Sequence, residues 1–198
     1  MSGVKMPPIK LIVGLGNIGK PYVGTRHNVG FQFTNEVLAK FGGFFEPNKR
    51  FFGETATTHI SGNAILVLQP STLMNLSGKA VSAVISFYKY KPEEILVVHD
   101  ELDLSPGSIK YKIGGGCAGH NGLKSISSLI GSQNFQRLRI GIGHPRDKQL
   151  QTPVADYVLS RPSPDDRILI SQAVAKGLEF LPLIAEGKTE DALQKINS

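Results

Sequence analysis

An almost unbroken apolar run, Ile9 to Leu15, leads into the loop Gly14-Leu15-Gly16-Asn17-Ile18-Gly19. Such a run, ended by glycines, reads as a buried strand. Buried strands belong to α/β folds, which build their ligand sites where strands end. Asn17 therefore stands at a place where sites are made. Ten residues on, Thr25-Arg26-His27-Asn28 opens a stretch of helical periodicity, so His27 also stands beside a loop. An amide and an imidazole brought to one rim suit hydrolysis, the first as donor and acceptor, the second as base.

The rest of the chain alternates in the same way. Strands are expected over Ile9–Leu15, Phe51–Ile60, Ala64–Leu68, Ile95–His99, Ser108–Ile113 and Arg137–Ile142. Helices are expected over His27–Phe41, Leu76–Lys89, Gly122–Ile130 and Ser163–Ile184, with a short one from Glu190. Ser61-Gly62-Asn63 signals a tight hairpin, which makes its two strands antiparallel. Ser163-Pro164-Asp165-Asp166 begins a helix well, with a capping serine, a proline in the first turn and carboxylates at the positive dipole end. Nothing divides the chain, so residues 1–198 read as one α/β domain with a mixed sheet, and residues 1–8 as a flexible tail.

Composition narrows the classes. At 198 residues, 40% hydrophobic and 19% charged, the chain is long enough to bury a core. It has no run of eighteen apolar residues, and Pro7, Pro8 and Lys10 interrupt any signal-peptide core, so no membrane span or secretion signal is expected. The single cysteine, Cys117, excludes an internal disulfide and fits a reducing, cytoplasmic compartment. The formal net charge of +6 lies wholly between Leu104 and Lys148, and the remainder is balanced. A basic stretch in an otherwise neutral chain fits either a polyanionic partner or a solvated basic face.

Several familiar chemistries fail on context. Gly14, Gly16 and Gly19 match a dinucleotide-binding fingerprint, but Pro21-Tyr22-Val23-Gly24 follows where the phosphate-binding helix should begin. No Gly-x-Ser-x-Gly elbow offers a serine nucleophile. Cys117 near His120 lacks an activating acid and reads as a small residue packed in a turn. His99, Asp100, Glu101 and Asp103 cannot share a metal, because alternate strand residues face opposite ways; no metal or cofactor is expected. What remains are Asn17, Asn75, Asp100 and Asn121 at four strand or loop ends near His27. Singly, the asparagines could cap helices and Asp100 could start a turn. Jointly they suit a base oriented by a carboxylate, with amides to hold substrate and water. Residues alone lead to an ester hydrolase with a polyanionic substrate.

In its blocks the chain resembles the bacterial-type peptidyl-tRNA hydrolases from Lys10 to its C-terminal helices. These are Val13-Gly14-Leu15-Gly16-Asn17, Thr25-Arg26-His27-Asn28-Val29-Gly30, Met74-Asn75-Leu76-Ser77-Gly78, His99-Asp100-Glu101-Leu102-Asp103, Gly119-His120-Asn121-Gly122-Leu123-Lys124-Ser125 and Arg137-Leu138-Arg139 through Gly141-Ile142-Gly143-His144-Pro145. The resemblance implies a monomer with a twisted mixed sheet flanked by helices. It implies cleavage of the ester joining a peptide to the terminal ribose of tRNA, without cofactor. It makes His27 the base, Asp100 its orienting carboxylate and Asn17 the residue favouring N-blocked substrates. Asn75 and Asn121 would bind the peptide and ester, with Tyr22, Leu73 and Met74 lining the cleft. Lys112 and Arg139 would grip the tRNA 5′-phosphate, assisted by Lys110. The same scaffold could serve as a non-catalytic RNA-binding module, which would need no paired base and carboxylate. Two residues depart from the family pattern: Ile18 stands where proline is usual, and Leu73 where an aromatic is common.

Overall fold

The computed structural model describes residues 3–198. In chain order the elements are β1 (Leu11–Gly14), α1 (Val29–Phe41), β2 (Glu46–Asn48), β3 (Gly53–Ile60), β4 (Asn63–Pro70), α2 (Ser77–Tyr88), β5 (Ile95–Glu101), β6 (Ile109–Ile113), α3 (Asn121–Ile130), β7 (Gln136–Gly141), α4 (Val154–Val158), α5 (Pro164–Ala185) and α6 (Thr189–Asn197). The strands form one seven-stranded mixed sheet in the order β2-β3-β4-β1-β5-β7-β6. β1 runs parallel to both β4 and β5, and β5 parallel to β7. The chain leaves β1 for β4 on one side and for β5 on the other. A crevice opens at the carboxyl ends of such neighbouring parallel strands.

Alternation of side chains across β1 splits the core in two. Ile12 joins Phe33, Val98, Leu138 and Val174 in a cluster under α1 and α5. Leu11 and Val13 join Leu68, Val81, Leu123 and Ile126 under α2 and α3. Burying each of these large apolar side chains is worth roughly 1.5–3 kcal/mol. Helix α5 is long and apolar enough to cross a bilayer, but Ile170, Val174, Leu178 and Leu181 are buried in the core.

The hairpin between β3 and β4 is antiparallel, turning through Ser61 and Gly62 at φ 53° and 79°. Ser163 caps α5 by accepting from the Asp166 N–H at 3.2 Å. Other expectations shift. The first helix proper begins at Val29, because Arg26–Asn28 form a separate 3-10 turn. The strand expected from Phe51 begins at Gly53, because Lys49–Phe51 coil into another turn and Phe52 takes φ 51°. β2 and α4 carry no readable periodicity, being three and five residues long. The flexible tail expected over residues 1–8 does not extend to its end. Met6 is buried and donates its N–H to Thr189 Oγ1 at 2.8 Å, and the Pro7 carbonyl accepts from Gln136 Nε2.

Glycine decides how closely α1 lies on the sheet. A Cβ on Gly14 would stand 2.4 Å from the Gly30 carbonyl oxygen. One on Gly30 would stand 2.4–2.5 Å from the Leu15 backbone and the Val98 carbonyl. All of these neighbours are backbone and cannot turn aside. Gly30→Ala should therefore cost at least about 1–3 kcal/mol, lowering the melting temperature by about 3–10 °C. Gly116→Ala, with nothing within 4 Å of its added Cβ, should change it little; thermal denaturation followed by circular dichroism compares the two.

Candidate active site

Each element delivers one polar group to the rim. Asn17 follows β1 and is held by its neighbours. Its N–H donates to Asn28 Oδ1 at 2.8 Å, and Asn28 Nδ2 returns a bond to its carbonyl at 2.9 Å. Asn17 Oδ1 accepts from the Met74 N–H at 2.6 Å. That contact fixes which side-chain atom is oxygen and leaves Nδ2 as the group able to donate to a ligand. Arg26 anchors the same turn from the far side. Its guanidinium lies 4.0 Å from the Tyr157 ring centroid and donates to Ser160 Oγ and to the carbonyls of Tyr157, Ser160 and Arg161.

Between these braces His27 is brought to Asp100, at the end of β5, with Nδ1 2.8 Å from Asp100 Oδ2. The second carboxylate oxygen lies 2.8 Å from His120 Nε2. His120 Nδ1 accepts from the N–H groups of Gly122 and Leu123 at 3.1 and 3.3 Å, so its proton must sit on Nε2 and point at Asp100. Asp100 thus accepts from two imidazoles at once. Burial opposes its charge, but His120 and His27 outweigh that and hold the carboxyl well below its ordinary range. Burial likewise opposes a charge on His27, and the Asp100 carboxylate overrides it, raising His27 above 6.5. In the neutral ring, ionised Asp100 keeps the proton on His27 Nδ1 and leaves Nε2 with a lone pair.

Below this pair, His99 is pushed down to about 3 by burial and by His120 beside it. It donates from Nδ1 to the Asp100 carbonyl at 2.8 Å, fixing the backbone under the carboxylate. His27, Asp100 and His120 bring possible metal-ligand atoms within 4.8 Å of one another. Their 2.8 Å separations are hydrogen-bond distances, and a tetrahedral ion at ~2.0–2.2 Å from each atom would force the pairs open.

A pocket of about 350 Å³ adjoins the pair, lined by His27, Asp100, His120, Asn121, Leu102 and Val154 among others. Asn121 and Asn75 are both exposed, and neither caps a helix. His120 caps α3, while Leu76 stands at the cap of α2 without a side-chain bond. Tyr22 is half-buried in the turn Lys20–Tyr22, and Leu73 is 52% exposed. Met74 departs from its expected place on the cleft wall: its side chain is buried in the core, and it contributes its backbone N–H instead.

The basic stretch also sorts itself. Arg137 is buried and spends its guanidinium on the carbonyls of Gly115, Gly116 and Gln133. Lys148 pairs with Asp166, and Lys110 donates to the Asn197 carbonyl. Lys112 has no ion-pair partner among the described residues, and Arg139 meets Glu101 at 3.3 Å. Lys110 and Arg139 are register partners, and Lys112 pairs with Arg137, so all four project from one face.

Three contributors escape the sequence. In sequence His120 stands out only as a neighbour of Cys117, whose Sγ instead lies 3.5 Å from Ser127 Oγ. Arg26 and Asn28 serve only through what they brace. The one available signal was their place in a single tetrapeptide with His27.

Fold and site together define a class: a single-domain α/β protein with a hydrogen-bonded His–Asp pair at the carboxyl rim of a mixed sheet. A profile of the family described as peptidyl-tRNA hydrolase matches residues 11–198. A peptidyl-tRNA hydrolase of Neisseria meningitidis is 51% identical over 190 residues, 96% of this chain and 97% of its own. One from Haemophilus influenzae is 49% identical over 194 residues, 98% of each chain. The crystal structure of the Acinetobacter baumannii enzyme superposes with a TM-score of 0.92 at 41% identity, covering 99% of this chain and 98% of that one. The chain belongs to the peptidyl-tRNA hydrolase family and acts as a hydrolase of peptidyl-tRNA.

The Asp100 contact has a measurable signature. By NMR, His27 should titrate above 6.5 in the parent. In Asp100→Asn it should fall below 6.5, because burial is then unopposed. Its sign in stability follows: this contact stabilises the fold below the unfolded-state value and is lost as pH rises through the raised folded value.

Proposed function

We propose that the chain cleaves the ester between a peptide and the terminal ribose of tRNA by direct attack of water, with His27 as base. The observation that carries this reading is the ionised Asp100 held against His27 Nδ1, so that the neutral ring, formed above its raised pKa, keeps its one proton on Nδ1 and presents a free Nε2. Water gives a proton to Nε2 as its oxygen adds to the acyl carbon. The imidazolium formed is held by Asp100. Collapse of the tetrahedral intermediate expels the ribose oxygen, which takes that proton from His27, and the base is regenerated. General-base assistance of this kind contributes about 10²- to 10⁴-fold. Donor amides from Asn75 or Asn121 near the developing oxyanion add to it.

Asn17 supports discrimination for N-blocked substrates. With its oxygen occupied by Met74, it offers Nδ2 as a donor. A donor there meets a carbonyl acceptor in a peptide, but an ammonium in a free aminoacyl group. Tyr22 and Leu73 flank the cleft, and His120 positions Asp100. Lys112 and Arg139 hold the 5′-phosphate of the acceptor stem, with Lys110 beside them steadying the strand. Working on a translation product, the enzyme acts in the cytoplasm as a monomer, without metal or cofactor.

His27→Ala should lower kcat by about 10²–10⁴-fold, with tRNA affinity little changed; release of labelled N-acyl-aminoacyl group measures it. In the parent, kcat should climb with pH through the raised His27 value, the neutral imidazole being the active form. Lys112→Ala with Arg139→Ala should raise KM and leave kcat nearly intact. The slope of log KM against log salt should flatten by about one to two.

A further inference from the structure

A second groove lies on the opposite side of the catalytic pair from Lys112 and Arg139, and nothing in the mechanism uses it. The sheet order sets the sequence of sites. β7 and β6 carry the phosphate-gripping residues, β5 and β1 the His27–Asp100 pair and Asn17, and β4, β3 and β2 the groove. It has a volume of about 590 Å³, within the roughly 300–1,000 Å³ usual for ligand sites. Its walls include Asn48, Lys49, Phe52, Thr72, Leu76 and Lys79, with no carboxylate among the lining residues.

One chain segment, residues 72–76, contributes both to the groove and to the active site. Met74, whose N–H holds Asn17 Oδ1, sits between Thr72 and Leu76 in sequence. Leu73 and Leu76, 52% and 51% exposed, carry an apolar surface outward from that contact. Phe52 is 40% exposed and sits at φ 51°, a conformation that disfavours a bulky side chain. It is fixed by the Ser71 N–H donating to its carbonyl at 2.8 Å. The Lys79 ammonium stands 4.5 Å from its ring centroid.

We infer that this groove is a distal subsite for the nascent peptide, receiving the residues upstream of the one esterified to tRNA. The inference rests on the ester-hydrolase reading given above. If the nucleotides approach from β6 and β7 and the ester lies at His27, the acyl chain is what continues toward β4 and β2. The lining suits a peptide: polar side chains for main-chain groups, an aromatic for an apolar side chain, and two lysines that favour acidic over basic residues. Chain length and charge upstream of the ester should therefore matter to this enzyme.

The test compares two kinds of substrate, a single N-acetyl-aminoacyl-tRNA and tetrapeptidyl-tRNAs carrying either glutamate or lysine upstream of the esterified residue. The parent should prefer the glutamate peptide by about twofold to fivefold in kcat/KM. Lys79→Glu, on an exposed helix position, should abolish or invert that preference and leave the single-residue substrate unaffected. Phe52→Gly, which suits the left-handed backbone, should melt no lower than the parent and lose several-fold on the tetrapeptides alone. Equal losses on short and long substrates would assign the groove to tRNA and overturn the inference. Unchanged kinetics in both variants would overturn it too. Failure of the parent to hydrolyse any of these substrates would instead refute the ester-hydrolase reading.

Discussion

The close approach of α1 to the sheet, backbone against backbone at Gly14 and Gly30, is the constraint on which the site depends. A Cβ at either position would collide with main-chain atoms at 2.4–2.5 Å. Removing both lets the helix start lie directly over the ends of β1 and β5. His27 is three residues before Gly30, and Asp100 two after Val98, whose carbonyl Gly30 faces. The distance between imidazole and carboxylate is thus set by two absent side chains. It also explains Gly14 and Gly16, which resemble part of a phosphate-binding loop yet serve helix–strand packing against Gly30 and Phe31.

Around that contact, polar groups keep one another in place. Asp100 is buried but accepts from two rings, and each ring has its orientation fixed by a further partner or by the chain. His120 is locked by two backbone N–H groups at the start of α3. The turn carrying His27 is tied to Asn17 through Asn28 and to the segment after α4 through Arg26. Little conformational entropy remains to be lost when substrate arrives, as preorganised sites require. The exposed amides of Asn75 and Asn121 are the contrast, since both stand open to solvent.

How much of this was legible depended on whether a residue acts at a strand end or through a neighbour. β1, β5 and α5 declared themselves through long apolar or periodic runs, and the β3–β4 hairpin through Ser61-Gly62. Asn17, His27 and Asp100 stood out because polar residues at strand ends exceeded what turns demand. β2 stayed hidden because three residues containing Pro47 have no period to display. Met6 looked like part of a tail because its partner, Thr189, lies 183 residues away. His120 was missed because histidine is an uncommon helix cap, and its value lies in a bond across the fold to Asp100. Arg137 counted toward the basic stretch, although its charge is consumed by the glycine loop it supports.

The two outer strands are finished differently, and this bears on association. β6 leaves a free side, and the Asn197 side chain fills it: its Oδ1 accepts from the Tyr111 N–H at 2.7 Å and its Nδ2 donates to the Tyr111 carbonyl at 3.0 Å. One amide there imitates a single rung of a neighbouring strand. β2, at the other margin, is short and carries a proline that offers no N–H. Neither border invites a strand from another molecule. The lysine-bearing margin of the sheet is therefore no template for self-assembly in a crowded cell.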